Sequence, residues 1–235
     1  MAKKLLRRLE ALQPQQQSNS NLNHTVAIPS QIITENKTIQ RKNIASNPAF
    51  VVGNGRSRLS VDLEQLLKQG IIYGCNAQYR EYEPHYLIAV DVKMVNEIIA
   101  SGYHKTHQVW TNPNKGITTK QNINFFSPHK GWSSGPTALW FACTQGHKEV
   151  FILGFDYQGV DGKFNNVYAD TFNYKKSTDS ATYFGNWLSQ TEKVIKEFNK
   201  VKFYRVIESD AFIPDKLGTQ LSNLSHITLN QIGRA

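Results

Sequence analysis

The chain has 235 residues, of which 40% are hydrophobic and 19% are charged, and its formal net charge is +9. Seven basic and two acidic residues fall within the first 48 positions, so this short segment alone carries +5. The basic balance is therefore weak evidence that the rest of the chain binds nucleic acid. No apolar run approaches the ~20 residues of a transmembrane helix, and the first residues lack the apolar stretch of a secretory signal.

The distribution of aromatic residues divides the chain into an arm and a core. All 26 Phe, Tyr and Trp residues lie between Phe50 and Phe212, and aromatic side chains dominate protein cores. We therefore expect one domain at residues 49–212, an extended N-terminal arm at residues 1–48 and a C-terminal tail at residues 213–235.

The arm begins with a short amphipathic pattern. In residues 3–12, leucines recur on one helical face while basic side chains occupy another, which predicts a helix too short to be stable alone. Residues 13–23 form a polar, low-complexity spacer. Either the helix orders against an acidic membrane surface, a partner groove or nucleic acid, or it belongs to a mobile basic tail. Our expectation is a protein partner or assembly bound through residues 1–48.

From Phe50 onward, short apolar runs alternate with patterns of helical spacing. Strands are predicted at residues 49–52, 71–75, 85–90, 108–110, 123–126, 150–153 and 201–206, the last being the final strand. Helices are predicted at residues 61–70, 92–102 and 135–145. A polar, aromatic insertion at residues 157–182 is followed by one more predicted helix. This alternation predicts an α/β fold with a mostly parallel, doubly wound (Rossmann-like) sheet. Cys75 and Cys143 lie within apolar runs, which favours buried thiols in a reducing compartment over a disulfide, a metal site or a nucleophile.

Small and polar residues follow nearly every predicted strand. Because the carboxyl ends of parallel strands meet at one edge of a sheet, where open α/β proteins bind ligands, these residues should come together. They are Gly53, Asn54, Gly55, Asn76, Asp91, Ser133, Ser134, Gly135 and Asp156. Taken jointly the set favours a nucleotide-type site, while each member alone also fits a role in a turn or a helix cap.

Each group in this set has an expected role. Gly53 and Gly55 would take positive φ and admit a ligand close to the main chain. The helix that starts near Ser134 would offer free N–H groups and a positive dipole end to a phosphate, unless Ser134 only caps that helix. Asp91 and Asp156 are the residues expected to hold a divalent metal or the hydroxyls of a ribose, and the alternative for Asp91 is the cap of the following helix.

These residues also carry a resemblance to known families. The bacterial sialyltransferases of glycosyltransferase family 42 have a GNG turn, an Asn that closes the second strand, an SG helix start and a G-[IF]-D strand end. This chain resembles them at Gly53-Asn54-Gly55, Cys75-Asn76, Ser134-Gly135 and Gly154-Phe155-Asp156. The segment PHYLIAVD, which ends at Asp91, is similar to one in the related 6-hydroxymethylpterin pyrophosphokinase (MptE-like) group. The resemblance covers residues 50–156.

The resemblance implies a nucleotide donor site. Asn54, Asn76 and Ser134 would contact the nucleotide of a CMP-sugar or similar donor, and Asp156 would organise the edge of that site. Those sialyltransferases use a histidine after the G-[IF]-D strand as general base, and this chain has no histidine there. The resemblance therefore implies a catalytically degenerate, phage-encoded member in which donor binding survives and sialyltransfer is absent or very slow.

Three residues remain as candidates for catalysis. They are Asp91, Asp156 and His129, with a carboxylate as the base or metal ligand. His129 lies five residues before Ser134 and would face the ligand, unless it is only an exposed loop residue. A phenol with an unperturbed pKa near 10 is a poor base. We therefore expect Tyr157 to bind phosphate oxygens through its hydroxyl rather than to act as the catalytic base.

Two functions of different classes follow. The first is a nucleotide-dependent transferase that moves a glycosyl or phosphoryl group, with a cytidine nucleotide or a nucleotide sugar as the ligand and a divalent metal as an optional companion. The second is a non-catalytic structural or assembly protein, for example a phage virion component, that is anchored by its arm. The expected location is the cytoplasm of the host or, for a phage protein, the virion. The core is not expected to bind nucleic acid.

Overall fold

Eight parallel strands form one sheet in the computed structural model of this chain, which describes residues 45–232. The strands are β1 (Ala49–Val52), β2 (Ile71–Cys75), β3 (Tyr86–Ile88), β4 (Val109–Thr111), β5 (Asn124–Phe125), β6 (Glu149–Leu153), β7 (Lys202–Val206) and β8 (Leu224–Ile227). The α-helices of the described part are α1 (Leu63–Leu67), α2 (Val92–Ala100), α3 (Ser134–Thr144) and α4 (Gly185–Glu197). The predicted doubly wound, Rossmann-like α/β fold is confirmed, and every strand pair is parallel.

Side chains of β1 alternate between the two faces of the sheet, as the two-residue period of a strand requires. Val51 packs in a core with residues of α3 and α4, whereas Phe50 and Val52 pack in a separate core with residues of α1. Residues of α2 and Leu87 of β3 form a third core. Helices therefore cover both faces, which explains why the central strands read as continuous apolar runs.

The strand order places a switch point beside β1. The order is β5-β4-β3-β2-β1-β6-β7-β8, so the chain builds outward from β1 to β5 and then returns to place β6 on the other side of β1. In open α/β sheets, ligands bind outside the carboxyl ends of the strands at this reversal. Here the reversal brings the turn after β1 next to the turn after β6.

The segment predicted as a C-terminal tail, residues 213–235, contains a strand of the sheet, β8 (Leu224–Ile227), so its described part belongs to the domain. Strand β7 is therefore not the last: Phe203 pairs with Leu224, and Val206 pairs with Ile227. Of the four residues of β8, only Ile227 is buried. Such a short segment has no alternating pattern of its own, and it is a strand because the open edge of β7 supplies its hydrogen-bond partners.

The predicted helix at residues 3–12, the spacer at residues 13–23 and most of the predicted arm lie outside the described residues. Within residues 45–232, no helix is both long and apolar enough to cross a membrane. The predicted buried thiols are confirmed: Cys75 and Cys143 are both free and buried.

Candidate functional site

A cleft of about 640 Å³ lies at the carboxyl ends of β1, β2, β3 and β6. The start of α3, the first turns of α4 and the insertion between β6 and α4 complete its walls. The cleft is lined by ten of the predicted site residues: Gly53, Asn54, Gly55, Asn76, Asp91, Ser133, Ser134, Gly135, Asp156 and Tyr157. His129 is exposed and does not line the cleft, so the structure does not bring it together with the others.

Four backbone N–H groups in and after the turn that follows β1 donate hydrogen bonds to other parts of the protein. The N–H of Gly53 donates to the carbonyl of Leu153 at 2.8 Å, and the N–H of Gly55 donates to the carbonyl of Gly154 at 2.9 Å. The N–H groups of the next two residues donate to side-chain oxygens of the turn after β6 and the insertion. These amides are therefore not available to cradle a phosphate.

Close approach of two backbones explains why both positions of this turn are glycine. Neither residue has a positive φ, so the predicted conformational role is wrong, and Gly55 has φ −64°. A Cβ atom on Gly53 would lie 2.7 Å from the carbonyl oxygen of Gly154. A Cβ atom on Gly55 would lie 2.6 Å from the carboxylate oxygens of Asp156. The absent side chains make room for the neighbouring turn rather than for a ligand.

Three polar side chains hold the ends of β1, β2 and β3 in register with α3. Asn54 is 8% exposed and donates from Nδ2 to the carbonyl of Cys75 at 3.1 Å, which leaves its buried Oδ1 without a partner among the described residues. The Ser134 hydroxyl donates to Asn76 Oδ1 at 2.8 Å and accepts from the N–H of Val90 at 3.1 Å. Asn76 has φ +54°, a left-handed conformation that Asn tolerates better than most residues. The turn role that sequence reasoning left open for Asn76 is therefore supported.

The carboxylate of Asp156 is engaged within the protein. It accepts from the N–H of Ser57 at 3.2 Å, from the hydroxyl of the same serine, and from Asn165 Nδ2 at 2.9 Å. These donors belong to the turn after β1 and to the insertion. Asp156 therefore ties three segments of the cleft wall together, which makes it a positioning residue before any ligand is considered.

Asp91 caps α2, which was the structural alternative considered from the sequence. Its Oδ1 accepts from the N–H of Lys93 at 2.9 Å, while Oδ2 has no hydrogen bond within residues 45–232. Asp91 is exposed on the cleft wall and so has one carboxylate oxygen available to a ligand. No group of three or more His, Cys, Asp or Glu side chains suited to a metal ion occurs in the described part of the chain. A metal held by Asp91 and Asp156 would thus depend on oxygen atoms of the ligand or of water.

The start of α3 differs from the predicted cap. Ser133 occupies the cap position without a side-chain cap, and its N–H donates to Gln190 Oε1 at 3.1 Å. Ser134 is the first helical residue, and its hydroxyl bonds to Asn76 rather than to its own helix. The N–H groups of Ser134 and Gly135 have no acceptor within residues 45–232, as is usual for a first turn. Both residues line the cleft, so their N–H groups are candidate donors for an anion.

Buried arginines that sequence reasoning did not single out as site residues brace the insertion. Arg58, which stands where a third glycine of a dinucleotide motif would be, is 3% exposed and donates to the hydroxyl of Tyr168 at 2.9 Å. Arg205 of β7 donates to the carbonyls of Phe155 and Asp156 at 3.1 and 3.3 Å. The only signal in the sequence was for Arg205, a charged residue within an apolar run, and the partners named here are more than 40 residues away in the chain.

Burial governs the protonation of the tyrosines near the cleft. Tyr157 is buried, and its hydroxyl donates to Thr191 of α4 at 2.8 Å, so it is already engaged inside the protein. Burial raises the pKa of Tyr157 and raises the pKa of Tyr174 to about 12. The Tyr174 hydroxyl accepts from the N–H of Ala77 at 3.4 Å and lines the cleft. At neutral pH these phenols stay protonated, so they are hydrogen-bond donors and not bases.

Cys75 also lines the cleft, and burial raises the pKa of its thiol to about 12. A thiol with such a pKa carries almost no thiolate at neutral pH, which excludes it as a nucleophile there. Lys93 is the one lysine or arginine among the described residues that line the cleft, and its side chain is exposed. The charged side chains among the described residues that line the cleft are therefore one ammonium group and two carboxylates, a formal charge of −1. An anionic ligand would depend on Lys93, on the free amides at the start of α3 or on a cation that it brings with it.

Comparison with protein-family models, curated proteins and solved structures gives no match for this chain. The fold and the cleft define the class: a Rossmann-like α/β protein with a polar cleft at the strand-order switch. The resemblance to the family 42 sialyltransferases and to the MptE-like group stays a prediction.

Proposed function

We propose that the cleft binds a nucleotide or nucleotide sugar and that the domain is transferase-like, moving a glycosyl or phosphoryl group from that donor. The observation that supports this most is the first turn of α3, where two residues with free amides line a 640 Å³ cleft at the strand-order switch. Amides and the positive end of a helix dipole favour a phosphate. The unpartnered, buried Oδ1 of Asn54 on the same wall fits a site that a ligand or water completes.

The polar groups of the cleft divide between binding and chemistry in this proposal. The amides of Ser134 and Gly135 and the ammonium group of Lys93 hold the phosphate, and the Tyr174 hydroxyl donates to one of its oxygens. Asp91, through its free Oδ2, accepts the proton of an acceptor hydroxyl as that oxygen attacks the donor and the nucleotide leaves with its bonding electron pair. Asp156 orders the wall through Ser57 and Asn165.

A thermal-shift panel of nucleotides and nucleotide sugars, with and without Mg²⁺, tests the binding proposal. A ligand at 100 times its Kd should stabilise the protein by about 2.7 kcal/mol, and this is visible as a raised melting temperature. Lys93→Gln should weaken the shift because Lys93 carries the one ammonium group among the described residues that line the cleft. Lys200→Gln, which lies before β7 at the opposite edge of the sheet, is the matched control and should retain it. If no ligand in the panel raises the melting temperature at millimolar concentration, nucleotide binding is disproved.

Two observations favour the second candidate, a non-catalytic structural or assembly protein. None of the described residues that line the cleft is a histidine, and the Asp156 carboxylate already accepts three internal hydrogen bonds. Release of free nucleotide from a bound nucleotide sugar separates the two functions. A transferase releases nucleotide in the presence of acceptor and loses this activity in Asp91→Asn while the thermal shift remains. A binding protein shows the same shift with no turnover in the wild type.

A further inference from the structure

Three partly exposed aromatic rings line the cleft beside α3 and α4. We name Trp132, Phe184 and Trp187 the aromatic wall. The rings of Phe184 and Trp187 meet edge to face, with centroids 5.5 Å apart. The ammonium group of Lys130 lies 5.3 Å from the centroid of the Trp132 ring. Large apolar rings at the surface of a polar cleft leave hydrophobic area in contact with water, which a stacked ligand ring would remove.

Amide side chains with free hydrogen-bonding groups accompany these rings. Gln190 uses Oε1 to accept from the N–H of Ser133 at 3.1 Å, and its Nε2 has no acceptor among the described residues. Asn186, one residue before Trp187, is exposed and its side chain makes no hydrogen bond within residues 45–232. A planar ring with donors and acceptors on its edge would satisfy both amides while its face stacks on the aromatic wall.

The aromatic wall is continuous with the anion-binding end of the cleft. Trp132 is followed directly by Ser133 and by the two cleft-lining residues whose amides are free. Polar residues also line the cleft, and we name Asn54, Asn76 and the lining residues of the insertion the polar wall. A ligand with its phosphate at α3 therefore has both an aromatic surface and a hydroxyl-binding surface within the same cleft.

We propose that the aromatic wall is the nucleobase subsite of the cleft, with Asn186 and Gln190 reading the edge of the base. This inference rests on the proposed nucleotide binding and adds the orientation: base at the aromatic wall, phosphate at α3, sugar towards the polar wall. Stacking of a base on an aromatic side chain contributes enough to change affinity about tenfold or more.

The test compares ligands that differ by the base, measured on the full chain. The Kd of each of the four ribonucleoside 5′-monophosphates is compared with that of ribose 5-phosphate. At least one nucleotide should bind about tenfold more tightly than ribose 5-phosphate and should quench tryptophan fluorescence, while ribose 5-phosphate does not. Trp187→Leu and Phe184→Leu should remove most of the difference, and Trp187→Phe should keep part of it. Tyr183→Leu is the matched control, because Tyr183 is 78% exposed, adjoins Phe184 and does not line the cleft.

The outcomes separate this inference from the proposed function. Equal binding of nucleotides and ribose 5-phosphate by the wild type, without quenching, overturns the base subsite and leaves phosphate binding intact. A preference for nucleotides that survives in a folded Trp187→Leu or Phe184→Leu variant places the base elsewhere and also overturns it. Absence of binding by every ligand overturns the inference together with the proposed function. Quenching in the wild type supports the inference even where a leucine variant fails to fold.

Discussion

At the scale of single residues, the contact between Gly55 and Asp156 has a measurable consequence. A Cβ atom at position 55 would lie 2.6 Å from the Asp156 carboxylate oxygens, although the backbone conformation at this position is open to alanine. Gly55→Ala should lower the free energy of unfolding by about 1–3 kcal/mol, the range for an overpacked site. Urea denaturation followed by circular dichroism measures this change.

A double mutant isolates the steric cause. In the background of Asp156→Ala, which removes the colliding carboxylate, the same Gly55→Ala substitution should cost little or be slightly stabilising, because alanine restricts the unfolded chain. An equal cost in both backgrounds would mean that the carboxylate is not what excludes a side chain at Gly55.

Several residues that are predicted to contact a ligand also have a structural role within the protein. The Ser134 hydroxyl joins α3 to the ends of β2 and β3, and the Asn54 amide joins β1 to β2. Alanine at either position would leave buried or partly buried partners without a hydrogen bond and would destabilise the domain whether or not a ligand binds there. Lys93, whose ammonium group is exposed, reports on binding without that complication.

At the scale of elements, the Arg80 guanidinium anchors the insertion between β6 and α4 through hydrogen bonds. The Arg80 guanidinium donates from Nε to Glu97 Oε1 at 2.9 Å, from Nη1 to Thr171 Oγ1 at 2.8 Å and from Nη2 to the carbonyl of Phe172 at 3.0 Å. It also lies 5.7 Å from the ring centroid of Tyr168. One side chain thus connects the insertion to α2, and the insertion forms a fixed wall of the cleft.

Arg80→Leu should release the insertion while the sheet stays folded. We expect trypsin to cleave faster after the exposed Lys175 and Lys176, while the circular dichroism spectrum stays that of the folded domain. Lys196→Gln is the control, since it removes an exposed ion pair with Glu192 on α4 and such pairs contribute little. Unchanged cleavage rates in Arg80→Leu would show that other contacts suffice to hold the insertion.

At the scale of the whole molecule, the buried His147 couples stability to pH. It is 1% exposed; Nδ1 donates to the carbonyl of Asn47 at 2.7 Å, so Nε2 accepts from the Tyr73 hydroxyl at 2.9 Å. Burial lowers the pKa of His147 below its usual value of 6.5. The unfolded protein therefore binds a proton at this histidine below about pH 6.5, whereas the folded protein does not until the pH reaches the lowered pKa. The free energy of unfolding that neutral His147 contributes above about pH 6.5 is lost as the pH falls towards that lowered pKa.

The free energy of unfolding should accordingly decrease as the pH is lowered from 7 to 5. His147→Gln keeps a polar side chain and cannot take up that proton, so the pH dependence should become shallower by up to about 1.4 kcal/mol per pH unit. Urea titrations at several pH values measure both slopes. Parallel curves for the wild type and the variant would exclude His147 as the source.

The sequence by itself determined the class of fold and the edge of the sheet where the cleft lies. Seven strands could be predicted from short apolar runs, and the runs are continuous in β1, β2 and β6 because these strands are buried on both faces. Their carboxyl ends meet at one edge by the geometry of parallel strands. Nine of the ten predicted site residues that line the cleft could be named in this way, since position after a strand is a local property. Their individual roles could not, because turn, cap and ligand contact use the same small polar residue types.

Only the tertiary structure decided which of those roles each residue has. The pairing of β6 with β1 brought the two turns into contact, which explained Gly53 and Gly55 and engaged Asp156. The edge of β7 made a strand of residues 224–227, and long-range contacts gave Arg80 its role in the insertion. The role of each of these residues depends on partners that are distant in the chain. Such partners either form hydrogen bonds with the residue or fill the space beside its backbone. A pattern of neighbouring residues carries no information about such partners.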